Sequence, residues 1–159
     1  MLTLVLGGAR SGKSEVAERL AGDGPVTYIA TGVATDEDMA ARIAAHRRRR
    51  PGHWHTLEAP GPTLAAAVAD ARGTVLLDSV TTWLAAAPGF EVDADALCTA
   101  LAKRGGDTVV VSDEVGLGVH PSTEAGNRFR DALGLLNQQI AVCADDVFLV
   151  VAGRTLSLS

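Results

Sequence analysis

Read for hydrophobicity alone, the chain is a series of short apolar runs separated by longer amphipathic ones. The short runs fall at Leu2 to Leu6, Val26 to Ala30, Thr74 to Leu77, Thr108 to Ser112 and Val147 to Ala152. Most lack the alternation of a half-exposed strand, and continuous apolar runs of this length are what strands covered on both faces require. Between them lie helix-forming stretches: Ser14 to Ala21, Asp36 to Arg49, Pro62 to Ala71, Asp93 to Lys103, and about Ser122 to Cys143. Strand and helix alternate, which predicts an open, mostly parallel α/β sheet whose ligands gather beyond the carboxyl ends of its strands. After Gly153, the alternating tail from Arg154 to Ser159 predicts a last hairpin strand.

Composition narrows this picture. A chain of 159 residues without linker, repeat or low-complexity tract is expected to form a single domain over residues 1–159. Its 47% hydrophobic and 21% charged residues are ordinary for a globular protein and argue against disorder. No apolar run approaches the roughly 18 to 20 residues of a membrane span, and Met1 leads into the first strand without a basic leader, so the expected location is the cytoplasm. Cys98 and Cys143 have neither metal-ligand nor CxxC spacing and read as reduced thiols. The net charge of −5 offers nucleic acid no general attraction.

Chemistry enters at Gly7-Gly8-Ala9-Arg10-Ser11-Gly12-Lys13-Ser14, which matches the phosphate-binding loop template in a strand-to-helix context. Glycines at 7, 8 and 12 let the loop curl so that backbone N–H groups and a helix N-terminus face phosphate oxygens. Lys13 is expected to reach the β- and γ-phosphates, and the Ser14 hydroxyl to ligate Mg2+. Asp78, closing an apolar strand, resembles a Walker B acid for that metal. Asp113 and Glu114 close another strand, and all three acids are candidates to face the nucleotide. The plainer alternative is that such acids cap helices or form turns, with Asp78-Ser79 starting the next helix.

The segment Asp36 to Glu58 is less ordinary. Met39 and Ile43 are four apart and predict a buried stripe, while Arg42 and His46, also four apart, share another face. Arg47, Arg48, Arg49 and Arg50 follow in an acidic protein. Such a run reads as a solvated face, a nucleic-acid patch, or a partner for a triphosphate or a charged transition state. Cations near His46 disfavour its protonation and leave a nitrogen lone pair for attack on phosphorus. A structural histidine is the alternative, and His53 and His55 beside Trp54 have no stronger claim.

With these segments in view, the sequence resembles the bifunctional adenosylcobinamide kinase and adenosylcobinamide-phosphate guanylyltransferase family of cobalamin biosynthesis. The matching pieces are Gly7 to Ser14, Tyr28-Ile29-Ala30-Thr31, Asp38 to Ile43, His46 with Arg50-Pro51 and His53-Trp54, Thr81-Thr82, Asp113 to Gly118, Phe129-Arg130-Asp131, Asn137-Gln138 and Val150 to Gly153. They run in colinear order over nearly the whole chain. The specific part is the Met39 to Trp54 block joined to Glu114-Val115-Gly116.

The resemblance implies a P-loop NTPase fold with a RecA-like, mostly parallel sheet flanked by helices. It implies that ATP or GTP phosphorylates the aminopropanol hydroxyl of adenosylcobinamide, and that GMP from GTP then passes to the corrinoid phosphate through a GMP-histidine intermediate. The histidine maps onto His46. Nucleotide contacts map onto Gly7, Gly8, Ala9, Arg10, Ser11, Gly12, Lys13, Ser14, Thr31, Gly32, Val33, Arg47, Arg48, Arg49, Arg50, Glu58 and Asp78, with Ser14 and Asp78 at Mg2+. The family also implies a homotrimer, a corrinoid partner and no nucleic acid. Two rival readings are a P-loop kinase of another small molecule, with Asp78 or Glu114 assisting its hydroxyl, and a RecA-like nucleic-acid-binding ATPase module. Few aromatics, at 4%, and the acidic balance oppose the second.

Overall fold

The computed structural model describes residues 1–32 and 36–158. Among these residues one sheet of seven strands forms the centre: β1 (Leu2–Gly7), β2 (Val26–Ala30), β3 (His55–Glu58), β4 (Thr74–Asp78), β5 (Thr108–Asp113), β6 (Asp146–Val151) and β7 (Arg154–Ser157). The strand order is β3-β2-β4-β5-β1-β6-β7, and every pair is parallel except the hairpin β6–β7. The helices are α1 (Lys13–Ala21), α2 (Glu37–Arg49), α3 (Leu64–Asp70), α4 (Val80–Ala86), α5 (Ala94–Lys103) and α6 (Glu124–Cys143). One strand, β5, separates the phosphate-loop strand β1 from β4, the RecA-like arrangement of P-loop proteins. No described helix is long and apolar enough to cross a membrane.

Strand parity distributes the side chains. Leu4, Leu6, Ile29, Val75, Leu77 and Val110 pack into one core cluster with residues of α3, α4, α5 and α6. Their neighbours in the chain, Val5, Tyr28, Leu76, Val109 and Val111, join a second cluster with Val16 and Ala17 of α1 and with Trp54. Successive strand residues point to opposite faces. Continuing the count, Asp78 shares the parity of Leu76, and Asp113 that of Val109 and Val111. Both acids therefore leave the sheet on the face of α1.

Three elements differ from the sequence expectation. β3 was not anticipated: His55-Thr56-Leu57-Glu58 has no buried residue, and its backbone pairing with β2 rather than apolar patterning makes it a strand. α4 follows Asp78 at once, capped by Ser79, whose Oγ accepts the Thr82 N–H at 3.4 Å. The helix-start reading thus holds for Ser79, while Asp78 remains at the strand end.

α2 is the third. Asp36 caps it by accepting the Met39 N–H at 2.7 Å, but no α2 residue is buried. Met39 and Ile43 are half-buried rather than core, and His46 and Arg50 continue their line while Arg42 is exposed. Positions 39, 43, 46 and 50 fall along one stripe of a 3.6-residue helix. His46 therefore belongs to the inward face, not to the face of Arg42.

Candidate active site

The phosphate loop crosses from β1 to α1 in a conformation that its glycines require. Gly12, the N-cap of α1, has φ of 92°, and a Cβ there would lie 3.2 Å from Gly153 Cα. At Gly7 a Cβ would stand 2.4 Å from Ser11 Oγ and 2.9 Å from the Val150 carbonyl oxygen. The β6–β7 turn fastens the loop, because the Gly153 N–H donates to Ser11 O at 2.7 Å. Ala9 and Arg10 form the exposed rim, and Gly8, Ser11, Lys13 and Ser14 are half-buried.

Lys13 donates to Gly8 O at 3.3 Å and pairs with Asp113 Oδ1 at 2.6 Å. Asp113 is thus the acid beside the phosphate-loop lysine. Its backbone is held on both sides: the N–H donates to Thr81 Oγ1 at 2.7 Å, and the carbonyl accepts from Asn137 Nδ2 at 3.1 Å. Asn137 Oδ1 in turn accepts from buried Ser112 Oγ at 2.6 Å. The sequence offers Asp113 as one of three strand-end acids facing the nucleotide, without its Lys13 partner. The signal was its parity with Val109 and Val111, legible only once the strand limits are known. Glu114 turns back on its own loop, accepting the Gly116 N–H at 2.7 Å.

A second cluster forms at the end of β4. Asp78 Oδ2 accepts a short hydrogen bond from the Tyr28 hydroxyl and lies 3.5 Å from His46 Nδ1. Burial works to raise the Asp78 carboxyl, but His46, the Tyr28 hydrogen bond and the Arg50 charge outweigh it and hold it below the ordinary range. Burial, then the charge and hydrogen bond of Asp78, push the Tyr28 phenol above its ordinary range against the pull of Arg50. The phenol is therefore a donor and Asp78 an acceptor. The sequence foresaw only cations around His46; the tertiary structure adds a carboxylate at its Nδ1.

The arginines are divided in role. Arg47 pairs with Glu58. Arg49 reaches α1, 2.8 Å from Glu18 Oε1 and 3.7 Å from Glu15 Oε1, and so ties α2 to the phosphate-loop helix. Arg50 lies over the Tyr28 ring, 3.3 Å from its centroid, and donates to Thr56 Oγ1 at 3.2 Å. Arg48 is exposed. Arg47, Arg50, Trp54 and Glu58 line an open groove of about 490 Å³, and the buried donors Arg50 Nε and Trp54 Nε1 have no partner among the described residues. His55 is exposed, and His53 lies 3.0 Å from the Asp23 carbonyl.

Thr31 is buried, its hydroxyl donating to Ser79 O at 2.5 Å and meeting Thr82 Oγ1 at 2.6 Å. Gly32 packs near Ile43 of α2, and Val33 lies outside the described residues. Ser14, Asp78 and Asp113 each carry hard oxygen donors of the kind Mg2+ prefers; no group of three or more His, Cys, Asp or Glu side chains that could hold a metal occurs among the described residues.

A family model described as "Cobinamide kinase / cobinamide phosphate guanyltransferase" matches residues 3–158. The chain belongs to this cobinamide kinase / cobinamide phosphate guanyltransferase family. It is accordingly a nucleotide-dependent transferase. Relatives in the cobinamide kinase family agree over nearly their full lengths. The bifunctional adenosylcobalamin biosynthesis protein CobP of Pseudomonas aeruginosa is 43% identical over 169 residues, covering 99% of this chain and 97% of that protein. The bifunctional adenosylcobalamin biosynthesis proteins CobU of Salmonella typhimurium and Escherichia coli are 41% and 38% identical over 175 residues, each covering 96% of this chain and 97% of the relative.

Proposed function

We propose that the chain phosphorylates the aminopropanol hydroxyl of adenosylcobinamide and then transfers GMP from GTP to that phosphate through a GMP-His46 intermediate. The observation that carries the reading is the pairing of His46 Nδ1 with Asp78 on the sheet face from which Asp113, the partner of Lys13, also projects. Adjacent strands lie about 4.8 Å apart, so β5 sets the end of β4 roughly 10 Å from the phosphate loop on β1. A nucleotide lying across β5 places its phosphates on the loop and its α-phosphorus toward α2.

With a proton on Nδ1 facing Asp78, His46 Nε2 keeps its lone pair. Nε2 attacks the α-phosphorus, an N–P bond forms, and the bond to the bridging oxygen breaks so that pyrophosphate leaves with the electron pair. Asp78 stabilises the imidazolium character that develops, while Lys13 and the loop N–H groups receive charge on the leaving group. In the second displacement a phosphate oxygen of the corrinoid attacks the same phosphorus, and the N–P electrons return to Nε2. Ser14 and a strand-end carboxylate, Asp78 in the first instance, would hold Mg2+, which would neutralise phosphate charge. In the kinase reaction ATP or GTP occupies the same loop.

The chain acts as a homotrimer in this reading. Leu135 and Val142, exposed and seven apart on α6, offer an apolar strip for a subunit contact. Incubation with magnesium and α-labelled GTP should leave an acid-labile, alkali-stable label that His46→Ala abolishes. A folded, GTP-binding preparation that takes no label overturns the guanylyltransferase assignment, and a label surviving in His46→Ala moves the nucleophile elsewhere.

A further inference from the structure

Tyr28 has no part in the chemistry described so far, yet it touches both residues that bracket the His46 end of α2. Its side chain is buried, and its hydroxyl donates to Asp78 Oδ2, the oxygen 3.5 Å from His46 Nδ1. Its ring is covered by Arg50, the C-cap of the helix carrying His46. A carboxylate at a strand end rotates about its terminal torsion unless something binds it. Here the Tyr28 phenol is hydrogen-bonded to it.

We propose that Tyr28 is a positioning residue for guanylyl transfer: by anchoring Asp78 it holds the proton-bearing Nδ1 of His46 inward and aims Nε2 at the α-phosphorus. The inference rests on the GMP-histidine reading above. It assigns to Tyr28 no contact with nucleotide. Removal of a second-layer hydrogen bond that orients a reacting group loses on the order of 10-fold or more in rate.

The test is Tyr28→Phe, which keeps the ring beneath Arg50 and deletes only the hydroxyl. Three quantities are read: the single-turnover rate of label transfer from α-labelled GTP, the equilibrium affinity for GTP, and the tautomer of His46 from 15N shifts at about pH 8, where a free imidazole is neutral. The expected result is a label-transfer rate lowered about 10-fold, GTP affinity within about twofold, and a larger share of the tautomer with its proton on Nε2. A transfer rate within about twofold of the parent overturns the Tyr28 role. So does an equal fall in rate and GTP affinity, which is the mark of general structural damage. An unchanged tautomer share also overturns it, whatever the rate. Failure of the reading beneath is separately visible: the parent protein then takes no label, or His46→Ala still does.

Discussion

Asn137 couples the helical layer to the acid beside the phosphate loop, and its removal has a calculable cost. Asn137 is buried at 6% exposure, accepts from Ser112 Oγ at 2.6 Å and donates to the Asp113 carbonyl at 3.1 Å. Asn137→Ala loses both bonds, each worth about 1 kcal/mol net, and leaves the buried Ser112 hydroxyl only a long 3.5 Å contact with Thr81 Oγ1, a poorly satisfied state that adds up to about 2 kcal/mol. A loss of about 2–4 kcal/mol is expected, set against a total stability of about 5–15 kcal/mol for a domain. Ser112→Ala removes that poorly satisfied hydroxyl, so the double variant should be more stable than the sum of the single losses by about 1–2 kcal/mol. Urea unfolding of the parent, both single variants and the double variant closes this cycle, with m-values checked for constancy. Losses that add to within about 0.5 kcal/mol would refute the reasoning, because independent sites behave that way.

Gly7→Ala places a Cβ 2.9 Å from the Val150 backbone oxygen and 2.4 Å from Ser11 Oγ; it should cost about 1–3 kcal/mol of stability and weaken GTP binding, and unchanged urea midpoint and affinity would show that the loop has room. Asp78 has its folded-state carboxyl below its ordinary value of 3.8, so its stabilisation is present above that pH and is lost as pH falls through the lower folded-state value. The stability gap between the parent and Asp78→Asn should therefore shrink below about pH 4, and a gap constant from neutral to acid pH would contradict the shift. The Cys98 thiol is pushed up to about 12 by burial and by neighbouring Cys143. Alkylation of Cys98 in the folded protein should then be at least about tenfold slower than in denaturant, and equal rates would place the thiol in water.

Much of this molecule was legible in the chain because its strands are short, continuous and apolar. Leu2 to Leu6, Val26 to Ala30 and Thr108 to Ser112 lie within one residue of the observed strands at either end, since only burial on both faces accounts for such runs. The phosphate loop was equally plain, because its glycines answer to local backbone geometry: φ at Gly12 is 92°, and a Cβ at Gly7 would meet the next strand. β3 was not legible. Its four residues carry no apolar pattern, and it is a strand only because β2 offers it an edge.

The site divides along the same line. The sequence by itself singled out the loop, Lys13, Ser14 and the arginine run as candidates through residue type and short-range spacing, and His46 chiefly through the family resemblance. It also identified the strand-end acids without their partners. Only the tertiary structure decided that Asp113 faces Lys13, that Asp78 faces His46 and Tyr28, and that Arg49 is bound to α1 while Arg50 covers Tyr28. Strand parity fixes which face an acid leaves from, but its partner comes from an element 30 to 100 positions away in the chain. Sheet order and helix docking make those encounters, and no local pattern encodes them.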